Sequence, residues 1–391
     1  MRVLFFSLFE FPDACAAATR VVNLVKTLQA EKCTVDVLGV TDSTSASLSG
    51  TVRDIPYTLI RMKREYGYRA HKRNFQLNRD LKEYLANQRE SYDVIVLSNV
   101  YFDCAGVFLK YSKKHGSKII VNAVEWYDQE STRFKGVRGK INLIKNRLAL
   151  MCIHKKMGNI LAISSLLDNY YKNRGCNTIT IPTIVDLSEY ASVLNISSNE
   201  SDKLCVAYAG SPGRKDYIAN AIRAIELLTE AERAKAELHF YGPEIKALYD
   251  LGLTEEFLST YKENIFCHGR IPYAEVKEKI AAADFTVLLR PNKRYANAGF
   301  PTKVGESMAC GTPVIANITS DLGKYIIDGK TGIVCANESP EACAEAFRRA
   351  LAMTAEEKTA MRRAAYEMAN TAFDYRAYVD KMSEFLNKVR M

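Results

Sequence analysis

Apolar and polar positions along this chain switch repeatedly between two periods. Residues 3–6 form a continuous apolar run of strand length, and Val21, Leu24, Val25 and Leu28 then recur at helical spacing. Strand character returns at 34–38 and a helical region follows around 70–88. Residues 94–97 are an unbroken β-branched and apolar run, the pattern of a strand covered on both faces. Residues 118–121, 159–163 and 179–181 read as further strands. Such alternation predicts a parallel sheet with helices on both sides.

A second alternation starts with a strand at 204–209. A helix is predicted from about 216 to 228, and strands at 237–241, 265–268, 286–289, 314–316 and 332–335. The end is helical over 340–352, 356–372 and 375–389. Between the two series, residues 186–203 are rich in Ser and Asn and poor in large apolar residues, and read as a linker. A chain of 391 residues exceeds one ordinary core. The expected fold class is α/β, with two Rossmann-like doubly wound domains at 1–195 and 200–373. Their ligand cleft is expected between them, at the carboxyl ends of the strands.

One segment concentrates the candidate chemistry. Residues 290–316, RPNKRYANAGFPTKVGESMACGTPVIA, follow a strand and supply Arg290, a loop with Gly299, Phe300 and Pro301, and then a short helix. Thr302 is the expected N-cap of that helix. Loop amides and a helix N-terminus suit an anion, Lys303 adds a full positive charge, and Glu306 can accept from a pair of hydroxyls. Two other loops accompany it. Residues 208–216, YAGSPGRKD, place Gly210, Ser211 and Gly213 beside Arg214 and Lys215 between a strand and a helix. Residues 266–272, FCHGRIP, carry Arg270 and Ile271 at a strand end. Taken singly, each is also an ordinary α/β turn or a solvated charge.

Taken in order, these three segments resemble the donor site of glycosyltransferase family 4, whose members retain anomeric configuration on a GT-B fold. Residues 306–316 match the family's E-x-M-A-x-G-x-P-V-I-A run, and the G-F-P-T-K that precedes them is a familiar variant. The family's first glutamate, placed at the donor sugar, falls at Ala298, which is a departure. The resemblance implies that Lys215 and Lys303 act on the donor diphosphate and Glu306 on the ribose. It implies that Arg270 and Ile271 mark the nucleobase loop, and that the helix from Tyr375 returns to the first domain. It also implies a nucleotide-sugar substrate of UDP or GDP type, with no cofactor and no metal requirement.

The first half holds the acceptor-side candidates. Residues 16–20, AATR preceded by Ala16, resemble the family's strand-to-helix turn without its glycines, with Arg20 on the helix. Residues 124–128, VEWYD, set the one Trp of the chain beside a carboxylate at a strand end. Glu125 matches the position where the family carries a catalytic acid or His, and Trp126 and Tyr127 offer aromatic faces to a sugar. A core Trp with exposed acids is the alternative reading.

Charge sharpens the picture. The formal net charge is +9, and residues 1–200 hold 28 Lys+Arg against 19 Asp+Glu, while the remainder is balanced at 26 each. Most of the excess lies in the tracts 61–79 and 133–156, the second of which carries an apolar stripe. These tracts suit an anionic membrane surface or a lipid-diphosphate acceptor, or they are simply solvated amphipathic helices. No recognised nucleic-acid module is present. Ten cysteines lack metal or redox spacing and read as small buried hydrophobes. No apolar stretch approaches the roughly 18 residues of a membrane span, and the N-terminus lacks a signal-peptide pattern. The expectation is a cytoplasmic enzyme, peripheral on the inner face of the membrane, that transfers sugar to a glycan or lipid-linked glycan in surface polysaccharide biosynthesis. A non-catalytic nucleotide-sugar-binding protein is the alternative. A dehydrogenase would need G-x-G-x-x-G after the first strand, where residues 7–20 contain no glycine.

Overall fold

The computed structural model describes residues 1–11, 16–43, 47–62, 70–98, 102–128, 136–197, 202–213 and 215–391. The chain divides into two compact units, residues 1–184 with 375–391, and residues 185–374.

The first unit is built on an eight-stranded sheet in the order β3-β4-β2-β1-β5-β6-β7-β8. Its strands are β1 (Arg2–Glu10), β2 (Thr34–Thr41), β3 (Ser49–Val52), β4 (Ile55–Arg61), β5 (Val94–Ser98), β6 (Lys118–Ala123), β7 (Asn159–Ala162) and β8 (Asn177–Thr180). All neighbours run parallel except β3 and β4, which pair antiparallel. Every residue of β5 is buried, as its uninterrupted apolar run requires. The helix Ala16–Ala30 buries Val21, Val22, Leu24, Val25 and Leu28 on the strands beside it.

The terminal helix Val379–Arg390 buries Met382, Phe385, Leu386 and Val389, an i, i+3, i+4, i+7 face. These four side chains join the same core as Val3, Phe5, Val21 and Val25. At about 1.5–3 kcal/mol for each large apolar side chain removed from water, that face holds the helix firmly on this unit.

The second unit carries a six-stranded parallel sheet in the order β11-β10-β9-β12-β13-β14. Its strands are β9 (Leu204–Ala209), β10 (Ala236–Tyr241), β11 (Ile265–Gly269), β12 (Phe285–Leu288), β13 (Val314–Asn317) and β14 (Gly332–Cys335). Strand order reverses between β9 and β12, so the carboxyl ends of these two strands form a topological switch point. The sequence-predicted helix over 216–228 is instead a short α-helix, Ile218–Arg223, followed by a 3-10 turn, Ala224–Leu227.

The polar stretch read as a linker is largely part of this unit. Val185 donates its amide to Phe373 O at 2.8 Å, and the Leu187 amide donates to Asp374 Oδ2 at 3.2 Å. The buried Arg362 guanidinium donates to Asn195 O at 3.0 and 3.1 Å and to Ala281 O and Ala283 O at 2.6 Å. A segment poor in apolar residues is thus held by hydrogen bonds to its backbone, a cause that composition does not reveal.

Candidate functional site

The loops at the carboxyl edge of the second sheet are stitched together by their glycines. Gly210 follows β9 with φ +133°, Gly242 follows β10 with φ +113°, and Gly269 ends β11 with φ +63°. The Gly210 amide donates to Tyr241 O at 2.8 Å and the Gly242 amide to Gly269 O at 2.6 Å. A Cβ on Gly242 would lie 2.6 Å from Gly210 O, and a Cβ on Gly210 would lie 2.7 Å from Lys303 Cε. Glycine at 210 therefore serves two needs at once: a backbone conformation closed to other residues, and room for the Lys303 side chain to cross it.

Lys303 stands in the first turn of the helix Thr302–Ala309. That helix is locked to the sheet through Ser307, whose hydroxyl meets Thr286 Oγ1 at 2.7 Å and donates to Thr312 O at 2.7 Å. From there Lys303 Nζ donates to Asp216 Oδ2 at 2.8 Å and lies 5.2 Å from the centre of the Tyr208 ring. The Tyr208 hydroxyl donates to the same carboxylate at 2.9 Å. Burial alone would raise the Asp216 carboxyl, but Lys303, Arg290 and the Tyr208 hydroxyl outweigh it and hold the group below its usual range. Arg290 is buried after β12, and its backbone amide and carbonyl are clamped by Asn317 at 2.8 and 2.7 Å. Two cations, one carboxylate and a phenol thus meet at the switch point.

Glu306 is one turn along the same helix and partly exposed. Burial raises its carboxyl above the usual range, against the opposing pull of Lys303, Lys277 and a hydrogen bond with Tyr273. Lys277 is held in turn, donating to Glu189 O at 3.1 Å and sitting 4.3 Å from the Tyr190 ring centre. Tyr190 and Tyr273 hydroxyls are 3.4 Å apart. A crevice lined by Lys303, Glu306, Tyr208, Ile280, Val304 and Val314 has room for at most about one water. Such a crevice is a packing gap rather than a ligand chamber.

Gly210, Asp216, Arg290, Lys303 and Glu306 are therefore brought to one edge of the unit, while other sequence candidates lie differently. Ser211 is exposed, Lys215 is partly exposed, and Arg214 lies outside the described residues. Open space surrounds a Cβ built on Gly213, so no steric need for glycine exists there. Arg270 is exposed, and Ile271 packs against Ala207, Tyr241 and Ala283. Gly299 has φ −89°. Phe300 belongs to an aromatic cluster with Tyr325 and Phe373, at ring separations of 5.4 and 5.9 Å, and so serves packing. Pro301, not Thr302, is the cap residue of the helix, and Thr302 is its first residue without a side-chain cap. Ala298 is wholly buried at the end of the short helix Arg294–Ala298.

In the first unit, Arg20 is an internal brace. It is 3% exposed and donates to Ile181 O, Pro182 O and Asn122 Oδ1 at 2.5–3.3 Å. The expectation of an acceptor-facing arginine is corrected by these contacts, which satisfy the guanidinium within its own unit. Glu125, Trp126 and Tyr127 follow β6 and are partly exposed, with Trp126 packed edge-on to Tyr170 at 4.8 Å. Among the described residues no group of three His, Cys, Asp or Glu could hold a metal ion, and no helix is long and apolar enough to cross a membrane.

Sequence reasoning named Gly210, Arg290, Lys303 and Glu306 but missed Gly242, Asp216, Tyr208, Tyr273, Lys277 and Tyr190. Asp216 and Tyr208 bound the glycine segment itself, so their signal was present. Tyr273 and Lys277 had none, because only the packing of helix Tyr273–Ala282 brings them toward Glu306.

Residues 194–368 match the family described as glycosyl transferases group 1. An uncharacterized glycosyltransferase of Methanocaldococcus jannaschii is 22% identical over 248 residues, covering 60% of this chain and 58% of that protein. Sucrose-phosphate synthase from Thermosynechococcus elongatus superposes with a TM-score of 0.75 at 16% identity, covering 99% of this chain and 98% of its own. The Anabaena protein HepE, solved in complex with UDP and glucose, superposes with a TM-score of 0.68 at 14% identity, covering 99% and 100%. Residues 194–368 thus match the glycosyl transferases group 1 family, on a chain with the GT-B fold.

Proposed function

We propose that this chain is a retaining glycosyltransferase. It moves a sugar from a UDP- or GDP-linked donor to a glycan or lipid-linked glycan acceptor on the cytoplasmic side of the membrane, in surface polysaccharide biosynthesis. One observation carries the reading: Lys303 lies across Gly210 at the topological switch point of the second unit, beside Arg290 and Asp216. Positive charge, a glycine turn and a helix N-terminus at one sheet edge suit a diphosphate. Glu306, three residues on, suits the ribose hydroxyls. HepE, of the same fold, was solved with UDP and glucose.

In this reading the bond between the anomeric carbon and the donor phosphate oxygen breaks, and the acceptor oxygen bonds the same carbon from the same face. The acceptor proton passes to a leaving phosphate oxygen. Lys303 and Lys215 stabilise the charge that develops on the diphosphate, which lowers the barrier more than it tightens ground-state binding. Glu125, Trp126 and Tyr127 serve the acceptor. No cofactor or metal enters the scheme. A nucleotide-sugar binder without transfer is the second reading, favoured by the buried Ala298 where the family carries a glutamate.

A thermal-shift screen across UDP- and GDP-sugars, followed by assay of nucleotide release, tests both. A donor that binds the fold raises the melting temperature, and Lys303→Ala and Lys215→Ala each remove that rise. Binding without release of nucleotide in the presence of acceptor glycans selects the second reading. Full response in both lysine variants overturns the site.

A further inference from the structure

The helix Gly136–Leu148 and the π-helical turn Ala149–Ile153 that continues it present an apolar ridge to solvent. Val137, Ile141, Ile144, Leu148 and Met151 are 75%, 48%, 57%, 42% and 54% exposed. Their spacings of four, three, four and three residues place them on one face. Fourteen large apolar residues are exposed among those described, and five of them fall in this one stretch. Single exposed apolar side chains are ordinary; a contiguous row of five marks a contact surface. The opposite face is fixed to the unit: Gly139, Ala149 and Leu150 are buried, and His154 Nδ1 meets the Tyr171 hydroxyl at 2.7 Å.

Charge decides what covers the ridge. Residues 131–167 contain eight Lys and Arg and no Asp or Glu. Helical geometry sets Lys140 and Arg147 along one flank of the ridge and Lys145 along the other, and the exposed Lys155 and Lys156 follow its end. An apolar strip with cations on both flanks matches a bilayer boundary, where chains meet the ridge and anionic headgroups meet the cations. Long basic side chains can keep their charge at headgroup level while their stems lie along the apolar strip. Nucleic acid would meet apolar side chains where it needs cations, and a second copy of this chain would oppose like charges. The geometry points to a peripheral anchor: helix Gly136–Leu148 with its continuation to Met151 lies in the surface of an anionic membrane. This anchoring goes beyond sugar transfer and requires no step of it.

Cosedimentation of the intact chain with phosphatidylcholine vesicles, with and without phosphatidylglycerol, tests the anchor without any donor. The chain pellets with the anionic vesicles, and less so as salt rises. Ile144→Glu with Leu148→Glu weakens partitioning by roughly a hundredfold, the loss expected for two large apolar side chains left in water. Lys140→Gln with Arg147→Gln weakens binding to anionic vesicles and leaves that to neutral ones unchanged. All four positions are exposed, so the melting temperatures stay near that of the parent. The inference is overturned if the parent ignores anionic vesicles, or if both double variants pellet like it. It is equally overturned if light scattering finds a parent dimer that the Glu variant splits, since the ridge would then be covered by a second copy. None of these outcomes bears on nucleotide binding, which the thermal-shift screen reads separately.

Discussion

Lys303 and Asp216 are 87 positions apart in sequence, yet Nζ and Oδ2 sit 2.8 Å apart over the Gly210 turn. The carboxylate neutralises part of the charge of Lys303 and Arg290 in a partly buried place. It also fixes the direction from which Lys303 approaches the turn, with Tyr208 bonded to the same oxygen from behind. A positive site built this way is oriented before any anion arrives, so little side-chain ordering remains to be done on binding.

Replacing Gly210 by Ala tests how tightly turn and lysine are fitted. At φ +133° any Cβ is strained, and this one would also meet Lys303 Cε at 2.7 Å. The expected loss of stability is about 1–3 kcal/mol, read by urea unfolding. Because Lys303 must move aside, UDP affinity falls by tenfold or more in calorimetric titration. A variant that binds UDP as the parent does would dissociate the turn from the phosphate site.

The pH dependence of Asp216→Asn follows from the sign of its shift. The folded carboxyl is held below its usual range despite burial, because Lys303, Arg290 and Tyr208 favour the charged form. Its stabilising contribution is present above the unfolded value near 3.9 and is lost as pH falls through the folded one. At pH 7 the Asn variant is therefore less stable than the parent by about 1–3 kcal/mol. The gap closes below about pH 4. Urea midpoints measured from neutral to acid pH check this, and a gap independent of pH would remove the ion pair as its cause.

The doubly wound pattern was readable because buried parallel strands are nearly pure apolar runs, as in β5 and β9. The hairpin β3–β4 was not, since Ser49–Val52 is mostly exposed and polar and Pro56 interrupts the next strand. Lys303 and Glu306 were legible because residues near in sequence share one short helix. Asp216 was passed over because a carboxylate beside two cations in sequence reads as a solvated charge. Only the fold shows it turned inward to Lys303. Arg20 failed in the opposite sense: an arginine on an apolar helix face reads as a solvent or ligand contact. Here three oxygen acceptors from β6 and the 181–182 segment enclose it.

That enclosure makes Arg20→Met a test of structure alone. The substitution removes the guanidinium donors from Ile181 O, Pro182 O and Asn122 Oδ1 at a site 3% exposed. Leaving buried acceptors unsatisfied costs about 2–4 kcal/mol in total. Urea unfolding registers the loss, whereas the UDP dissociation constant stays within about twofold. A selective loss of nucleotide or acceptor binding without loss of stability would restore Arg20 to the functional residues.

Glu306→Gln separates what serves binding from what serves folding. Burial raises the Glu306 carboxyl, with Lys303, Lys277 and Tyr273 only partly compensating, so the ionised form costs the unliganded fold stability. For a raised carboxyl the favourable contribution is complete below the unfolded value near 4.3 and fades as pH rises through the folded value. The isosteric amide escapes that cost, so at pH 7 the unliganded variant melts higher than the parent. Its advantage vanishes below about pH 4. In the proposed reading the same change replaces an oxygen that would accept from a ribose hydroxyl with an amide nitrogen that cannot, so UDP affinity is expected to drop by tenfold or more while free ribose-less pyrophosphate binds equally to both proteins. The two results together would mark Glu306 as a residue retained for its ligand. A Gln variant that melts lower than the parent at neutral pH would show that Glu306 serves the fold instead.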